Sequence, residues 1–253
     1  ERFSKKYETN YHIIDGTEYM TAKPDTEKNI HLVYLHGGAY VLGNNGVKKY
    51  ESFISRLIEA TASKVTFIDY PVTPESKYTQ TIEKTYQVYK YLRQEYPSDR
   101  FILVGDSAGG GLALVLAQVV AERNNCYSPE KLVLFSPWLD LSLSNPEIIA
   151  KKDMILSKEA LLYAAQQYSG PNELKNPHLS PIYGSFQGIG PILMFFGSLE
   201  LFYADGLKMQ QIATKNNYKI DFRFYGMMPH DWVIFSIPEA DEALRETSEF
   251  IAR

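Results

Sequence analysis

The stretch FILVGDSAGGGLALVLAQVV (101–120) changes its apolar period at a single point. Residues 101–104 are an unbroken apolar run, which is typical of a buried parallel strand. From Leu112 onwards apolar side chains recur at helical spacing, although three glycines at 109–111 each cost a helix about 1 kcal/mol. The pattern predicts a strand, a tight turn that holds Ser107, and a helix.

Strand-like and helix-like segments alternate along most of the chain. The strand-like runs are 30–35, 64–69, 101–105, 131–136, 191–197 and 221–225. The helical patterns cover roughly 47–62, 79–96, 108–124, 203–216 and 238–252. Such alternation predicts an α/β fold with a doubly wound, mostly parallel sheet flanked by helices. An Asp-Gly pair at the centre of 11–20 predicts an antiparallel hairpin at the sheet edge.

One interval, at about 140–190, breaks the alternation between two strands. It carries a helix-like segment at 157–168 and then a loop-rich segment at 169–181. We interpret this interval as an insertion over the strand ends, a lid or cap, rather than as a separate domain. The expected organisation is therefore one domain over residues 1–253 with the cap inside it.

The bulk composition argues against several classes of partner. The formal net charge of −4 shows no long run of either sign, which disfavours nucleic acid and anionic membranes. The single cysteine, Cys126, excludes an internal disulfide and fits a reducing compartment. No apolar stretch approaches the roughly 20 residues of a membrane span.

We therefore expect a cytoplasmic protein, although the opening ERFSKK lacks a methionine and leaves room for an upstream segment. The oligomeric state is open. An exposed sheet edge or the C-terminal helix could support a homodimer.

The motif Gly105-Asp106-Ser107-Ala108-Gly109 lies between strand and helix, which is the nucleophile-elbow pattern. The sharp turn needs small neighbours and lifts the serine Oγ clear of the sheet. A hydroxyl alone is a weak nucleophile, so catalysis also requires a base and a group that orients the base. The alternative is an ordinary glycine-rich turn, for example one that binds phosphate.

A second candidate motif, His36-Gly37-Gly38-Ala39, ends a strand-like run. Small residues let backbone N–H groups approach a ligand, and donors aimed at a carbonyl oxygen stabilise its developing charge by about 3–4 kcal/mol each. The N–H of Ala108 at the helix start adds another donor. The four candidate oxyanion donors are therefore Gly37, Gly38, Ala39 and Ala108. The alternative is a plain turn in which His36 bonds the backbone.

Six segments occur in an order that resembles one family. They are HGGAY (36–40), DYPVTPE (69–75), GDSAGG (105–110), SPWLDL (136–141), GSLELFYAD (197–205) and MMPHDW (227–232). Together they are similar to the hormone-sensitive-lipase-like esterase branch of the α/β-hydrolases, over about residues 30–252. The resemblance implies an eight-stranded hydrolase sheet, no cofactor, and hydrolysis of carboxylic esters. It also implies the chain order serine, acid, histidine.

His230 is the predicted base. It lies in a loop before the C-terminal helix, where the resembling family has its catalytic histidine. The other four histidines belong to early strands, the His-Gly-Gly turn or the insertion. No metal-ligand spacing of His, Cys, Asp and Glu is evident, so we predict no metal site.

The acid has two candidates. The resembling enzymes carry a stretch similar to Gly-x-x-Asp-x-Leu-x-x-Asp, which here runs from Gly197 to Asp205. Glu200 matches the catalytic position as a glutamate, and either carboxylate type can orient an imidazole. Asp205 is the alternative acid, at a helix start where the helix dipole favours negative charge.

Five side chains flank the motifs and are candidates for a substrate pocket, with burial in the core as the equal alternative. They are Tyr40, Trp138, Tyr203, Met228 and Trp232. The third glycine of the family's HGGG motif is Ala39 here, which can still donate its N–H. Only 35 residues precede His36, fewer than the resembling family uses for its N-terminal cap, so a more open site is expected; this departure bears on substrate size more than on reaction type.

The sequence thus predicts a serine carboxylesterase that hydrolyses small, short-chain esters through an acyl-enzyme intermediate. Ser107, His230 and Glu200 would form its triad. A peptidase or carbohydrate deacetylase would use the same machinery. A non-catalytic binding protein on a hydrolase scaffold is the third alternative, and it would be expected to lack a triad member.

Overall fold

A computed structural model describes residues 3–25, 28–43, 47–124, 128–148 and 153–253. These residues form a sheet of eight strands in the order β1-β2-β4-β3-β5-β6-β7-β8. The strands are β1 (Glu8–Ile14), β2 (Thr17–Lys23), β3 (Ile30–Leu35), β4 (Lys64–Asp69), β5 (Arg100–Asp106), β6 (Lys131–Phe135), β7 (Ile192–Gly197) and β8 (Ile220–Tyr225). All six predicted strands are present, with bounds within one residue of the prediction.

The predicted edge hairpin is confirmed, and its two strands extend beyond the predicted range of 11–20 at both ends. Strands β1 and β2 pair antiparallel from Glu8 opposite Lys23 to Ile14 opposite Thr17. Asp15 and Gly16 both have positive φ, at 48° and 72°, as a type I′ turn requires. Strand β2 also pairs antiparallel with β4, and the other neighbouring pairs from β4 to β8 are parallel.

Helices cover both faces of this sheet, as the alternation predicted. They are α1 (Phe3–Lys6), α2 (Glu51–Thr61), α3 (Tyr78–Glu95), α4 (Ser107–Arg123), α5 (Lys158–Ser169), α6 (Tyr203–Asn216) and α7 (Pro238–Ala252). The helix predicted from residue 47 begins at Glu51 instead. A separate 3-10 turn over Val47–Lys49 precedes it, closed by the Tyr50 N–H donating to the Val47 carbonyl.

Strand β5 shows how one strand serves two cores. Phe101 and Leu103 point into the core that α3 and α4 cover, whereas Ile102 and Val104 point into the core that α2 and α7 cover. All four are fully buried, and each such side chain stabilises the fold by about 1.5–3 kcal/mol. Burial on both faces explains why the run is continuous rather than alternating.

The interval 140–190 contains a 3-10 turn at Pro146–Ile148, helix α5 and a second 3-10 turn at Pro181–Tyr183. Helix α5 packs onto the α3–α4 core, where Tyr168 stacks on Tyr40 with 3.9 Å between ring centroids. Residues 149–152 and Cys126 lie outside the described part. The interpretation as a cap stays a prediction. Among the described helices, none is both long enough and apolar enough to cross a membrane.

Candidate active site

The turn between β5 and α4 has no loop: the strand ends at Asp106 and the helix begins at Ser107. Ser107 has φ 52°, a left-handed conformation that is strained for a residue with a side chain. A Cβ on Gly105 would collide with the Gly109 carbonyl, and one on Gly109 would collide with the Leu35 carbonyl. The glycines are therefore required by close backbone approach around the serine.

Three side chains that are far apart in sequence form a hydrogen-bonded chain. His230 Nε2 lies 2.9 Å from Ser107 Oγ, and His230 Nδ1 lies 2.8 Å from Glu200 Oε2. The second oxygen of Glu200 accepts the Gly197 N–H at 2.8 Å. All three side chains are buried, with Ser107 5% exposed. These distances are within reach for proton transfer from serine to imidazole and for orientation of the imidazole by a carboxylate.

The parallel sheet is what brings these residues together. Ser107 follows β5, Glu200 follows β7 and His230 follows β8. Because β5, β6, β7 and β8 are parallel, their carboxyl ends lie at one edge of the sheet. Loops after non-adjacent strands can therefore contribute to a single site.

Asp205, the alternative acid, lies elsewhere. It is buried in the first turn of α6, where its Oδ1 accepts the Asn145 side-chain N–H at 3.0 Å. Burial raises the pKa of Asp205 to about 6, so its carboxyl is substantially protonated in weak acid. The imidazole of His230 bonds Glu200 instead, and the geometry therefore favours Glu200 as the orienting acid.

The imidazole is held among carboxylates. Burial alone lowers the pKa of His230, but Asp231 and Glu200 outweigh burial and raise it to about 10. Asp231 Oδ2 lies 3.1 Å from His230 Nε2, the same nitrogen that faces the serine. Asp231 is not among the site residues that the sequence predicts. Its position next to His230 was the only available signal, and adjacency alone does not show that a side chain folds back.

The His-Gly-Gly turn is braced against the elbow. The Gly37 N–H donates to Asp106 Oδ1 at 2.9 Å, and the Tyr34 hydroxyl donates to the same oxygen. Burial, then the nearby charge of Asp231, raises the pKa of Asp106 to about 7. Of the four predicted oxyanion donors, Gly37 therefore already has an acceptor.

The other predicted donors are placed differently. Gly38 and Ala39 have φ of 121° and 54°, and no described acceptor takes their N–H groups. Ala108 lies in the first turn of α4, where backbone N–H groups have no intrahelical partner. His36 itself is structural: its ring stacks on Tyr70 at 4.3 Å between centroids, and its carbonyl accepts the Tyr70 hydroxyl at 2.5 Å.

The structure places three of the five pocket candidates in the core. Tyr40, Trp138 and Trp232 are each at most 1% exposed, so they offer no open surface to a ligand. The Trp138 indole N–H donates to the Asp140 carbonyl, which supports its role in packing. Tyr203 and Met228 lie in the partly buried class. Tyr40, Trp138 and Trp232 therefore fit the alternative of burial in the core. Tyr203 and Met228 remain candidates for the substrate pocket.

Ser136 is a further residue that the sequence reasoning missed. Its φ of 44° is left-handed, and it is buried at the end of β6. Its Oγ accepts the Asp231 N–H at 3.3 Å, and its hydroxyl also hydrogen-bonds the Glu200 carboxylate. Ser136 therefore ties the acid loop to the histidine loop. In the part of the chain that the structure describes, no group of three or more His, Cys, Asp or Glu could hold a metal.

Comparison with known proteins gives concordant similarities. A family model described as the α/β-hydrolase fold matches residues 32–234. An esterase from Acinetobacter venetianus is 31% identical over 226 residues, covering 87% of this chain and 73% of the relative. An acetyl-hydrolase from Streptomyces hygroscopicus is 30% identical over 234 residues, covering 90% of this chain and 77% of that protein. The crystal structure of a hormone-sensitive lipase from a metagenome library matches with a TM-score of 0.89 and 26% identity, covering 98% and 84% of the two chains.

The fold and these similarities define a class of protein, the ester hydrolases built on the α/β-hydrolase sheet. Within that class the chain belongs to the hormone-sensitive-lipase-like family of esterases and lipases, as its six sequence motifs indicated. It is accordingly an enzyme that hydrolyses esters. The expected eight-stranded, mostly parallel sheet is confirmed.

Proposed function

We propose that this enzyme is a serine carboxylesterase in which Ser107, His230 and Glu200 act as nucleophile, base and orienting acid. The observation that carries the proposal is the unbroken hydrogen-bonded chain from the Glu200 carboxylate through the imidazole to Ser107 Oγ. All triad positions are filled, which argues against a binding protein that has lost catalysis. Among the residues that the structure describes, no contact in the site favours a peptide or a sugar over a simple ester.

The reaction proceeds in two half-reactions. Ser107 Oγ attacks the ester carbonyl while His230 Nε2 accepts the hydroxyl proton, and the resulting oxyanion is stabilised by backbone N–H groups. The donors we assign are Gly38, Ala39 and Ala108, because the Gly37 N–H already bonds Asp106. His230 then donates its proton to the departing alcohol. Finally His230 takes a proton from water as the water oxygen attacks the acyl carbonyl. The bond from that carbonyl to Ser107 Oγ then breaks, His230 returns the proton to Ser107, and the acid leaves.

We further propose that the substrates are short-chain, small-molecule esters, with the 140–190 interval acting as a cap. The relative from Streptomyces hygroscopicus is named an acetyl-hydrolase, and one from Pseudomonas putida is named an ethyl acetate hydrolase. Those names refer to the relatives, and they support an acetyl-sized acyl group here. The full burial of Tyr40, Trp138 and Trp232 also leaves these large side chains as packing rather than as walls of an open channel.

The test is turnover of p-nitrophenyl esters of increasing acyl length by wild type and by Ser107→Ala. We expect acetate and butyrate to be preferred, and Ser107→Ala to lose about 10⁶-fold in kcat. Ser248→Ala, on helix α7 away from the site, is the matched control and should retain wild-type rates. A fluorophosphonate probe should label wild type and Ser248→Ala but not Ser107→Ala. Undiminished turnover by Ser107→Ala would refute the mechanism.

A further inference from the structure

Asp231 turns its carboxylate back onto the imidazole that precedes it in the chain. Its Oδ2 lies 3.1 Å from His230 Nε2, and Ser107 Oγ lies 2.9 Å from the same nitrogen. Glu200 Oε2 hydrogen-bonds the other ring nitrogen of His230, Nδ1. The imidazole is therefore flanked by one carboxylate at each nitrogen. When Nε2 carries a proton, Asp231 and Ser107 compete for a single N–H.

The backbone of Asp231 is held in a conformation that glycine would adopt more readily. Its φ and ψ are 53° and 27°, in the left-handed region. The Asp231 N–H donates to Ser136 Oγ, which fixes the loop on the end of β6. The residue begins a 3-10 turn at Trp232–Ile234, yet its side chain forms no capping hydrogen bond there. Formation of the turn therefore does not explain why the Asp231 carboxylate points towards His230.

The charge of Asp231 also lacks another obvious partner. Its side chain is 14% exposed, and its Oδ1 has no hydrogen-bond partner among the described residues. Within the same residues it forms no ion pair with a lysine or an arginine. A largely buried carboxylate is costly unless it faces a cation. The protonated imidazole of His230 is the cation that the structure supplies.

We propose that Asp231 is a second carboxylate for the catalytic histidine: it accepts the Nε2–H of protonated His230 in the resting enzyme and so sets the pH above which His230 becomes a base. This inference rests on the proposed function of Ser107 and His230. It concerns a positioning residue of the same site, distinct from Glu200 because it acts on the nitrogen that exchanges protons with Ser107.

The proton balance of the first step shows why this matters. A His230 that is protonated on both nitrogens has no lone pair on Nε2 and cannot accept the Ser107 proton. That Nε2 proton must first leave to solvent, and the Asp231 carboxylate opposes its departure. The stronger the Asp231 contact, the higher the pH at which the free enzyme gains a functional base.

Two other carboxylates lie near His230 and Asp231, but neither contacts His230 Nε2. Glu200, after β7, acts on Nδ1, and Asp106, at the end of β5, faces Asp231. Asp106 is braced by the Tyr34 hydroxyl and the Gly37 N–H, and burial followed by Asp231 raises its pKa to about 7. His36, Tyr34, Tyr50 and Tyr70 also face one or both of these aspartates. Asp231 is therefore the charge that faces Nε2.

The experiment is the pH profile of kcat/KM for p-nitrophenyl acetate in wild type, Asp231→Asn and Asp221→Asn. Asp231→Asn preserves the shape and tolerates the left-handed backbone while removing the charge. We expect its acid limb to move about one pH unit or more towards lower pH, which raises kcat/KM about tenfold well below the wild-type limb. Asp221→Asn removes the same unit of charge from an exposed position on β8 and should leave the limb in place.

Two outcomes would overturn the inference: an acid limb at the wild-type position in Asp231→Asn, or an equal loss of activity at every pH. Asp231→Gly, which suits the φ of 53°, provides the same test if the asparagine variant does not fold. Fluorophosphonate labelling separates the two proposals. An unlabelled Ser107 in wild type would refute the proposed function, whereas a labelled Ser107 with an unmoved limb would refute only the role of Asp231.

Discussion

Glu200 is longer by one methylene than the aspartate common at this position, and the site uses both of its oxygens. One oxygen accepts the Gly197 N–H within its own loop, and the other accepts from His230. Burial raises the pKa of Glu200, while the bonds from His230, Ser136 and Gly197 favour its charged form. Each of the two carboxylate oxygens thus has a hydrogen-bond partner, and the contact with Gly197 holds the carboxylate in place to orient the imidazole.

Replacing Glu200 by glutamine keeps this shape but removes the charge that stabilises the imidazolium. We expect Glu200→Gln to lower kcat by about 10⁴-fold, as for other triads that lose the acid. Asp205→Asn is the matched control, because Asp205 bonds Asn145 rather than His230. Steady-state kinetics on the same ester measure both variants. A larger loss in Asp205→Asn would transfer the orienting role to that residue.

At the scale of elements, the site depends on how closely α4 approaches the ends of β3 and β5. Helix α4 is buried around nearly its whole circumference from Ser107 to Val120. Gly109 packs against the Leu35 carbonyl, and Gly105 packs against the Gly109 carbonyl. These contacts position the helix N-terminus behind the serine, so the unfavourable glycines in the helix are a requirement of packing.

The Gly109→Ala variant tests this requirement. Alanine is favoured over glycine in a helix by about 1 kcal/mol, but its Cβ would overlap the backbone of β3. Because backbone cannot move as a side chain can, we expect a net loss of about 1–3 kcal/mol in unfolding free energy and a strong loss of kcat.

Gly226→Ala is the control for Gly109→Ala, since a Cβ there meets nothing within 4 Å. Urea denaturation and ester turnover measure both variants. A Gly109→Ala protein as stable and as active as the Gly226→Ala protein would contradict the packing argument.

At the scale of the whole molecule, a buried histidine at the opposite end of the sheet affects acid stability. His31 begins the pairing of β3 with β4, has no exposed surface, and contacts Thr66 Oγ1 through Nε2 at 2.6 Å. Burial, opposed by the Asp99 contact and reinforced by Lys64, lowers the pKa of His31 to about 4. The folded protein therefore holds this imidazole neutral.

The sign of the resulting pH dependence follows from linkage. Between the unfolded pKa of about 6.5 and the folded pKa of about 4, the unfolded chain binds more protons than the folded one, so stability falls as pH falls. From pH 7 to pH 5 we expect His31 to account for about 2 kcal/mol of lost unfolding free energy. Urea denaturation at both pH values measures the loss.

His31→Gln should remove that part of the pH dependence while leaving kcat/KM unchanged at pH 7. Comparison of the two proteins is needed because buried Asp106 and Asp205 have raised pKa values and change stability in the opposite direction. Their contribution is common to both proteins and cancels in the difference. Equal losses from pH 7 to pH 5 in wild type and His31→Gln would contradict the assignment.

The sequence by itself determined the layers of the fold and singled out Ser107 and His230, whereas it left the acid open between Glu200 and Asp205. Periodicity is a local property, so the strands and helices around 101–120 can be read from the spacing of apolar side chains. The elbow, too, is a local requirement for small residues beside Ser107. The expected order of serine, acid and histidine came from the family resemblance that the six motifs carry together.

Only the tertiary structure decided which groups touch. It brought Glu200 rather than Asp205 to the imidazole, assigned the Gly37 N–H to Asp106, and folded Asp231 back onto His230 Nε2. The first two choices depend on contacts of 2.8 and 2.9 Å between residues 30 and 69 positions apart in sequence. The spacing of residues along a chain carries no record of such distances, because the packing of the parallel strands and their loops sets them.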